Sequence, residues 1–109
     1  MHDVAQYKPF VKEMNQYLLL IQGNEKTETT AEEWERFFVA IKASGTFKGG
    51  SKVGKREIVG DKSSAHSSEH IVGYMRFDTE EKQTILELLR QHPVVLHGGS
   101  VELCELPET

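Results

Sequence analysis

Apolar positions recur with two periods along the chain, and the changes of period divide it into elements. Tyr17-Leu-Leu-Leu-Ile-Gln22 is a short apolar run closed by Gly23-Asn24. It predicts a first strand covered on both faces, because apolar side chains occupy both. Thr30-Ala-Glu-Glu33 then has the form of a capping box. Ala31, Trp34, Phe37, Phe38 and Ile41 form one helical stripe beyond it, Glu32, Glu35, Arg36 and Lys42 stay outside that stripe, and Gly45 is placed to end the helix. Lys52 to Val59 reads as a lysine-rich edge strand, and Asp61 to Ser68 as a mobile polar loop. His70 to Phe77 reads as a third strand, with Ile71, Met75 and Phe77 on one face and His70, Val72, Tyr74 and Arg76 on the other. A second helix, capped by Asp78 or Thr79, buries Ile85, Leu86, Leu88 and Leu89 and is stopped by Pro93. Ser100 to Leu106 is the last strand, with Val101 and Leu103 on one face and Glu102 and Cys104 on the other.

The order β-α-β-β-α-β predicts a ferredoxin-like α+β domain: a four-stranded antiparallel sheet with both helices on one face. The other face keeps half of Leu18 to Ile21 together with Val72 and Tyr74, which is too apolar for water. A second copy of the chain is the simplest cover, so a homodimer packed through the open sheet face is expected. Residues 1–15 read as an N-terminal extension and 16–109 as one domain. Within the extension Val4, Tyr7, Phe10, Val11 and Met14 suit a short amphipathic helix, with Pro9 in its first turn or breaking it.

Composition narrows the function classes. The 109 residues are 38% apolar and 28% charged, which describes a globular domain. No apolar run approaches the roughly 20 residues of a membrane span, and the N-terminus lacks the pattern of a secretory signal. The formal charge of −4 speaks against nucleic acid as a partner. Lys48, Lys52, Lys55, Arg56 and Lys62 are better read as charges that keep an edge strand from aggregating. A lone cysteine, Cys104, fits a reducing cytoplasm.

From about Met14 to Pro107 the chain resembles the YCII-related (DGPF) family of dimeric α/β barrels. The resemblance is carried by Tyr17-Leu-Leu-Leu-Ile, Gly49-Gly50, Glu69-His-Ile-Val-Gly-Tyr74, His92-Pro93 and Gly98-Gly-Ser-Val-Glu102 with Leu106-Pro107. It implies a ferredoxin-like fold that dimerises through its sheets, and little about activity. Some members carry a histidine near the first helix and a later aspartate as an acid/base pair. Thr30 to Ser44 contains no histidine here, and Asp61-Lys-Ser-Ser stands where Asp-Gly-Pro-Phe would be, so no dyad carries over.

Gly49-Gly-Ser-Lys-Val-Gly-Lys55 approaches a phosphate-binding loop, but Arg56 replaces the hydroxyl residue that would hold magnesium. No histidine pair has zinc spacing, so neither a metal nor a cofactor is expected. His92 is placed at a helix C-terminus, where the dipole favours a charged imidazole. No Ser-His-Asp or Cys-His pattern stands out, and Cys104 reads as an inert thiol. The candidate catalytic residues are His70, Tyr74 and Arg76, which alternation places on the open face with Glu102 at their margin. An imidazole, a phenol and a fixed cation can hold and polarise a small acidic or aromatic ligand. The same residues can equally form a polar dimer seam in which Arg76 and Glu102 pair. Three functions stay open: a cofactor-independent enzyme using acid/base chemistry in a dimer cleft, a non-catalytic small-ligand-binding protein, and a protein-interaction module.

Overall fold

The structure, a computed structural model, describes residues 14–108. The helix expected in the N-terminal extension falls on residues 1–14 and so lies almost wholly outside them. Asn15, assigned to that extension, instead opens a strand. The elements run β1 (Asn15–Ile21), α1 (Ala31–Ala43), β2 (Phe47–Lys52), β3 (Gly73–Thr79), α2 (Lys82–Leu89), α3 (Pro93–Leu96) and β4 (Val101–Leu106), with a 3-10 turn at Lys62–Ser64. The strands form a four-stranded antiparallel sheet in the order β2-β3-β1-β4. This is an α+β architecture with three helices, consistent with a ferredoxin-like fold.

β1 is one of the two inner strands, paired with β3 on one side and β4 on the other. Its alternation decides the layering. Tyr17, Leu19 and Ile21 are buried and meet Met75 and Phe77 of β3, Phe37 and Ile41 of α1, Ile85 and Leu89 of α2, and Val94 of α3 in one core. Full burial of each such side chain contributes about 1.5–3 kcal/mol. Leu18 and Leu20 point the other way and are half-buried on the helix-free face.

The start of α1 follows the expected capping box: Thr30 Oγ1 accepts from the Glu33 amide at 3.2 Å, and Glu33 Oε1 accepts from the Thr30 amide at 2.8 Å. Phe37 and Ile41, four apart, carry its buried stripe, whereas Ala31 is exposed. Other expectations are corrected. Asp78 and Thr79 belong to β3, and Glu81 stands at the N-cap of α2. Leu86 is exposed rather than buried. Pro93 does not stop α2, which has already ended at Leu89; it opens α3 from the first helical position, where a missing amide costs nothing.

The second strand is Phe47–Lys52, not Lys52 to Val59. The glycine pair at positions 49 and 50 is the reason. A Cβ on Gly50 would stand 2.3 Å from the Tyr74 carbonyl oxygen, so only glycine lets the two backbones approach this closely. Gly49, at φ +109°, takes up a register shift between Phe47 and Gly50. Phe47 anchors the strand by packing against Phe77 and Phe38, with ring centroids 5.7 and 6.0 Å apart. Beyond the bond from the Val53 amide to the Val72 carbonyl at 3.0 Å the chain leaves the sheet. Residues 54–70 are exposed and largely irregular.

Candidate functional site

Core-facing positions of β3 are Gly73, Met75, Phe77 and Thr79. Cross-strand partners share a face, so Gly50 (opposite Met75) and Lys52 (opposite Gly73) face the helices as well. Two glycines in one corner of the helix-covered side leave space that side chains would fill. Above that corner lies a cavity of about 560 Å³. Trp34 and Phe38 of α1, Phe47 of β2, Met75 of β3 and Val94 of α3 form its apolar walls, and Glu25 and Lys52 are its charged lining residues. A volume of this size suits a small ligand.

The walls are fixed from behind. Trp34 Nε1 donates to Thr29 Oγ1 at 3.0 Å, and the indole packs edge-on against His92 at 4.9 Å. His92 is fully buried, and its Nδ1 accepts from the Val94 amide at 3.1 Å, capping α3. Burial pushes its pKa down to about 4, so the ring is neutral near pH 7. The charged imidazole expected from the helix dipole is overturned, because loss of water outweighs a dipole that is worth about 1 kcal/mol. His92 Nε2 has no hydrogen-bond partner among the described residues.

The β1–α1 loop closes one end of this region, and the turn after α3 holds it. Asn24 exchanges two hydrogen bonds with Ser100, at 3.0 and 2.8 Å, and the Lys26 amide donates to the His97 carbonyl at 2.8 Å. The His97 ring is engaged at both nitrogens. Nε2 lies 2.8 and 2.9 Å from the two Glu33 carboxylate oxygens, and Nδ1 lies 2.7 Å from Thr27 Oγ1. The Thr30 amide and then His97 hold the Glu33 carboxyl below its ordinary pKa. Among the described residues no group of three or more His, Cys, Asp or Glu is placed to hold a metal ion.

Of the residues expected to form a site, Tyr74, Arg76 and Glu102 share the helix-free face. Tyr74 and Glu102 both flank Leu20 across the sheet, while Arg76 and Cys104 flank Leu18 in the next row. Arg76 and Glu102 form no ion pair among the described residues. His70 does not join them. β3 begins only at Gly73, and His70 sits exposed in a turn closed by the Ile71 amide on the Ser68 carbonyl. The Arg56 guanidinium caps that turn by donating to the Ser68 and Ile71 carbonyls. Strand alternation cannot be carried back through it.

No family model, no curated protein and no solved structure matches the chain.

Helical spacing puts Trp34 and Phe38 in the apolar stripe with Phe37 and Ile41, yet both are only half-buried and line the cavity. A glycine at the core-facing position before Met75 was the available signal. Nothing in spacing linked His97 to Glu33, which lie 64 residues apart.

Proposed function

We propose that the protein binds a small aromatic molecule bearing an acidic group, in the cavity between α1 and the β2–β3 corner. One observation carries this reading: a space of about 560 Å³ with Trp34, Phe38 and Phe47 among its walls and Lys52 facing the same side. Aromatic walls favour an aromatic ring by edge and offset contacts, and the lysine supplies a counter-charge for the acid. The domain that does this is of the ferredoxin-like, YCII-like kind, working as a homodimer joined through the helix-free face. Leu18, Leu20 and Tyr74 on that face support the dimer, since apolar residues in the middle of a bare sheet favour a covering layer. Acid/base turnover in the dimer cleft loses its imidazole with His70 in an exposed turn, so at that face binding is favoured over catalysis.

Trp34 is the sole tryptophan and lines the cavity, which makes its emission the direct test. Titration with phenylacetate or 4-hydroxybenzoate gives a saturable change in emission. Phe38→Ala, which removes one aromatic wall from a half-buried position, weakens that binding by about tenfold. Emission that never saturates with either compound, or binding unaltered in Phe38→Ala, overturns the reading.

A further inference from the structure

We infer that Thr27, His97 and Glu33 form a nucleophilic site that hydrolyses small carboxylic esters through an acyl-Thr27 intermediate. The inference is independent of the cavity and of its ligand. It rests on a hydroxyl, an imidazole and a carboxylate joined in series, with Thr27 Oγ1 2.7 Å from Nδ1 and both Glu33 oxygens within 2.9 Å of Nε2. A nucleophile within hydrogen-bond reach of a base, itself oriented by a third group, is the arrangement that activates an alcohol. The sequence order of the three residues gives no hint of it, and convergent sites of this kind are known by geometry alone.

The hydrogen bonds assign the protons. An ionised carboxylate only accepts, so His97 Nε2 carries the hydrogen shared with Glu33. In the neutral ring Nδ1 is then the free lone pair, and the Thr27 hydroxyl must donate to it. The proton that has to leave Thr27 is thus already directed at a base. Glu33 in turn cannot swing away, because the Thr30 amide also holds Oε1 at 2.8 Å. The nitrogens are used in the reverse of the order familiar from serine proteases, which leaves the proton logic unchanged.

Access and charge stabilisation follow from the loop. Thr27 is exposed, and residues 25–29 line an open hollow of about 660 Å³. The amides of Glu28 and Thr29, the next two in the chain after Thr27, make no hydrogen bond among the described residues, and we assign the oxyanion to them.

In the reaction Thr27 Oγ1 attacks the ester carbonyl carbon while its proton passes to His97 Nδ1. The carbonyl electron pair moves to oxygen. On its return the ester C–O bond breaks, and the leaving alkoxide takes the proton from Nδ1 and departs as the alcohol. A water molecule then gives a proton to Nδ1 and attacks the acyl carbon. Collapse releases the carboxylic acid and returns the proton to Thr27.

The test is hydrolysis of p-nitrophenyl acetate by the full chain, with intact-mass and peptide mapping of the acyl-protein. The expected result is turnover above that of an equal concentration of free imidazole, with one acetyl group on the peptide containing Thr27. Thr27→Val keeps the shape of the side chain and removes only the hydroxyl; it lowers the rate by about 100-fold. Thr27→Ser retains activity. Glu33→Gln, changing a positioning residue, lowers kcat with KM little changed. No turnover above imidazole, an acetyl group mapped only to a lysine or another histidine, or an unaltered rate in Thr27→Val overturns the inference.

Discussion

Lys52 is the cross-strand partner of Gly73, and it therefore projects from the helix-covered side of the sheet. A charge turned to the apolar side of an edge strand is one of the devices that keep such a strand from pairing further, and here it stands opposite a residue with no side chain. It is the feature that gives the cavity a polar end.

The consequence for affinity is modest. Lys52 is exposed, so its pairing with a ligand acid is screened and worth on the order of 1 kcal/mol or less. Lys52→Ala should weaken 4-hydroxybenzoate binding a few-fold and leave 4-hydroxybenzamide binding as it was. Trp34 emission titrations with the two compounds measure the difference. Equal losses for acid and amide would place the lysine elsewhere in the site's chemistry.

Gly50 leaves no room for a side chain. A methyl group there meets the Tyr74 carbonyl at 2.3 Å and the Met75 Cα at 3.0 Å, and neither backbone atom can step aside. Gly50→Ala should cost about 1–3 kcal/mol of unfolding free energy. Chemical denaturation measures it, with Gly54→Ala as a control, because a Cβ at Gly54 meets nothing within 4 Å.

His92 makes stability depend on pH in a defined window. Its folded pKa of about 4 lies below the ordinary value of 6.5, so between these limits the unfolded chain binds the extra proton. The contribution is whole above pH 6.5 and is lost as pH falls towards 4, to a total on the order of 3 kcal/mol. Asn at this position keeps an oxygen to accept from the Val94 amide and does not titrate. His92→Asn should flatten the dependence of unfolding free energy on pH across that window, and an unchanged slope would assign it to other groups.

The helix-free face gives the test of assembly. Leu20 sits at its centre, between Tyr74 and Glu102. Light scattering should give the dimer mass for the native chain at micromolar concentration and the monomer mass for Leu20→Glu, which sets a second carboxylate directly opposite Glu102 in the seam. A native monomer would remove the dimer.

What could be read in advance was local. α1 declares itself through Thr30, Glu33 and the Phe37–Ile41 stripe, and β1 and β4 through short apolar patterns, because caps and alternation involve residues a few positions apart. β2 could not be read that way. Gly49 and Gly50 have the composition of a turn, and their value as strand residues depends on the backbone of β3, more than twenty positions later. The same limit hid the start of β3: Val72 and His70 continue an alternating pattern, but Arg56 holds the chain in a turn there. For His92 a helix end suggests solvent, whereas the aromatic rings of Trp34 and Phe37 in α1 pack against it. The His97–Glu33 contact needs the α3 turn and the start of α1 to meet, which no local period encodes.

The inner place of β1 bears on how the chain comes to be folded. Both strands that pair with it, Gly73–Thr79 and Val101–Leu106, follow it by fifty residues or more. During synthesis its apolar side chains leave the ribosome long before either neighbour exists. At about 5–20 residues per second that exposure lasts several seconds. The hairpin-like pair β2–β3 and helix α1 can form in the interval, while β1 waits for the last strand to close its second ladder. Newly made chains are therefore most vulnerable to aggregation, and to capture by chaperones, at a strand that is among the best protected once folding is finished.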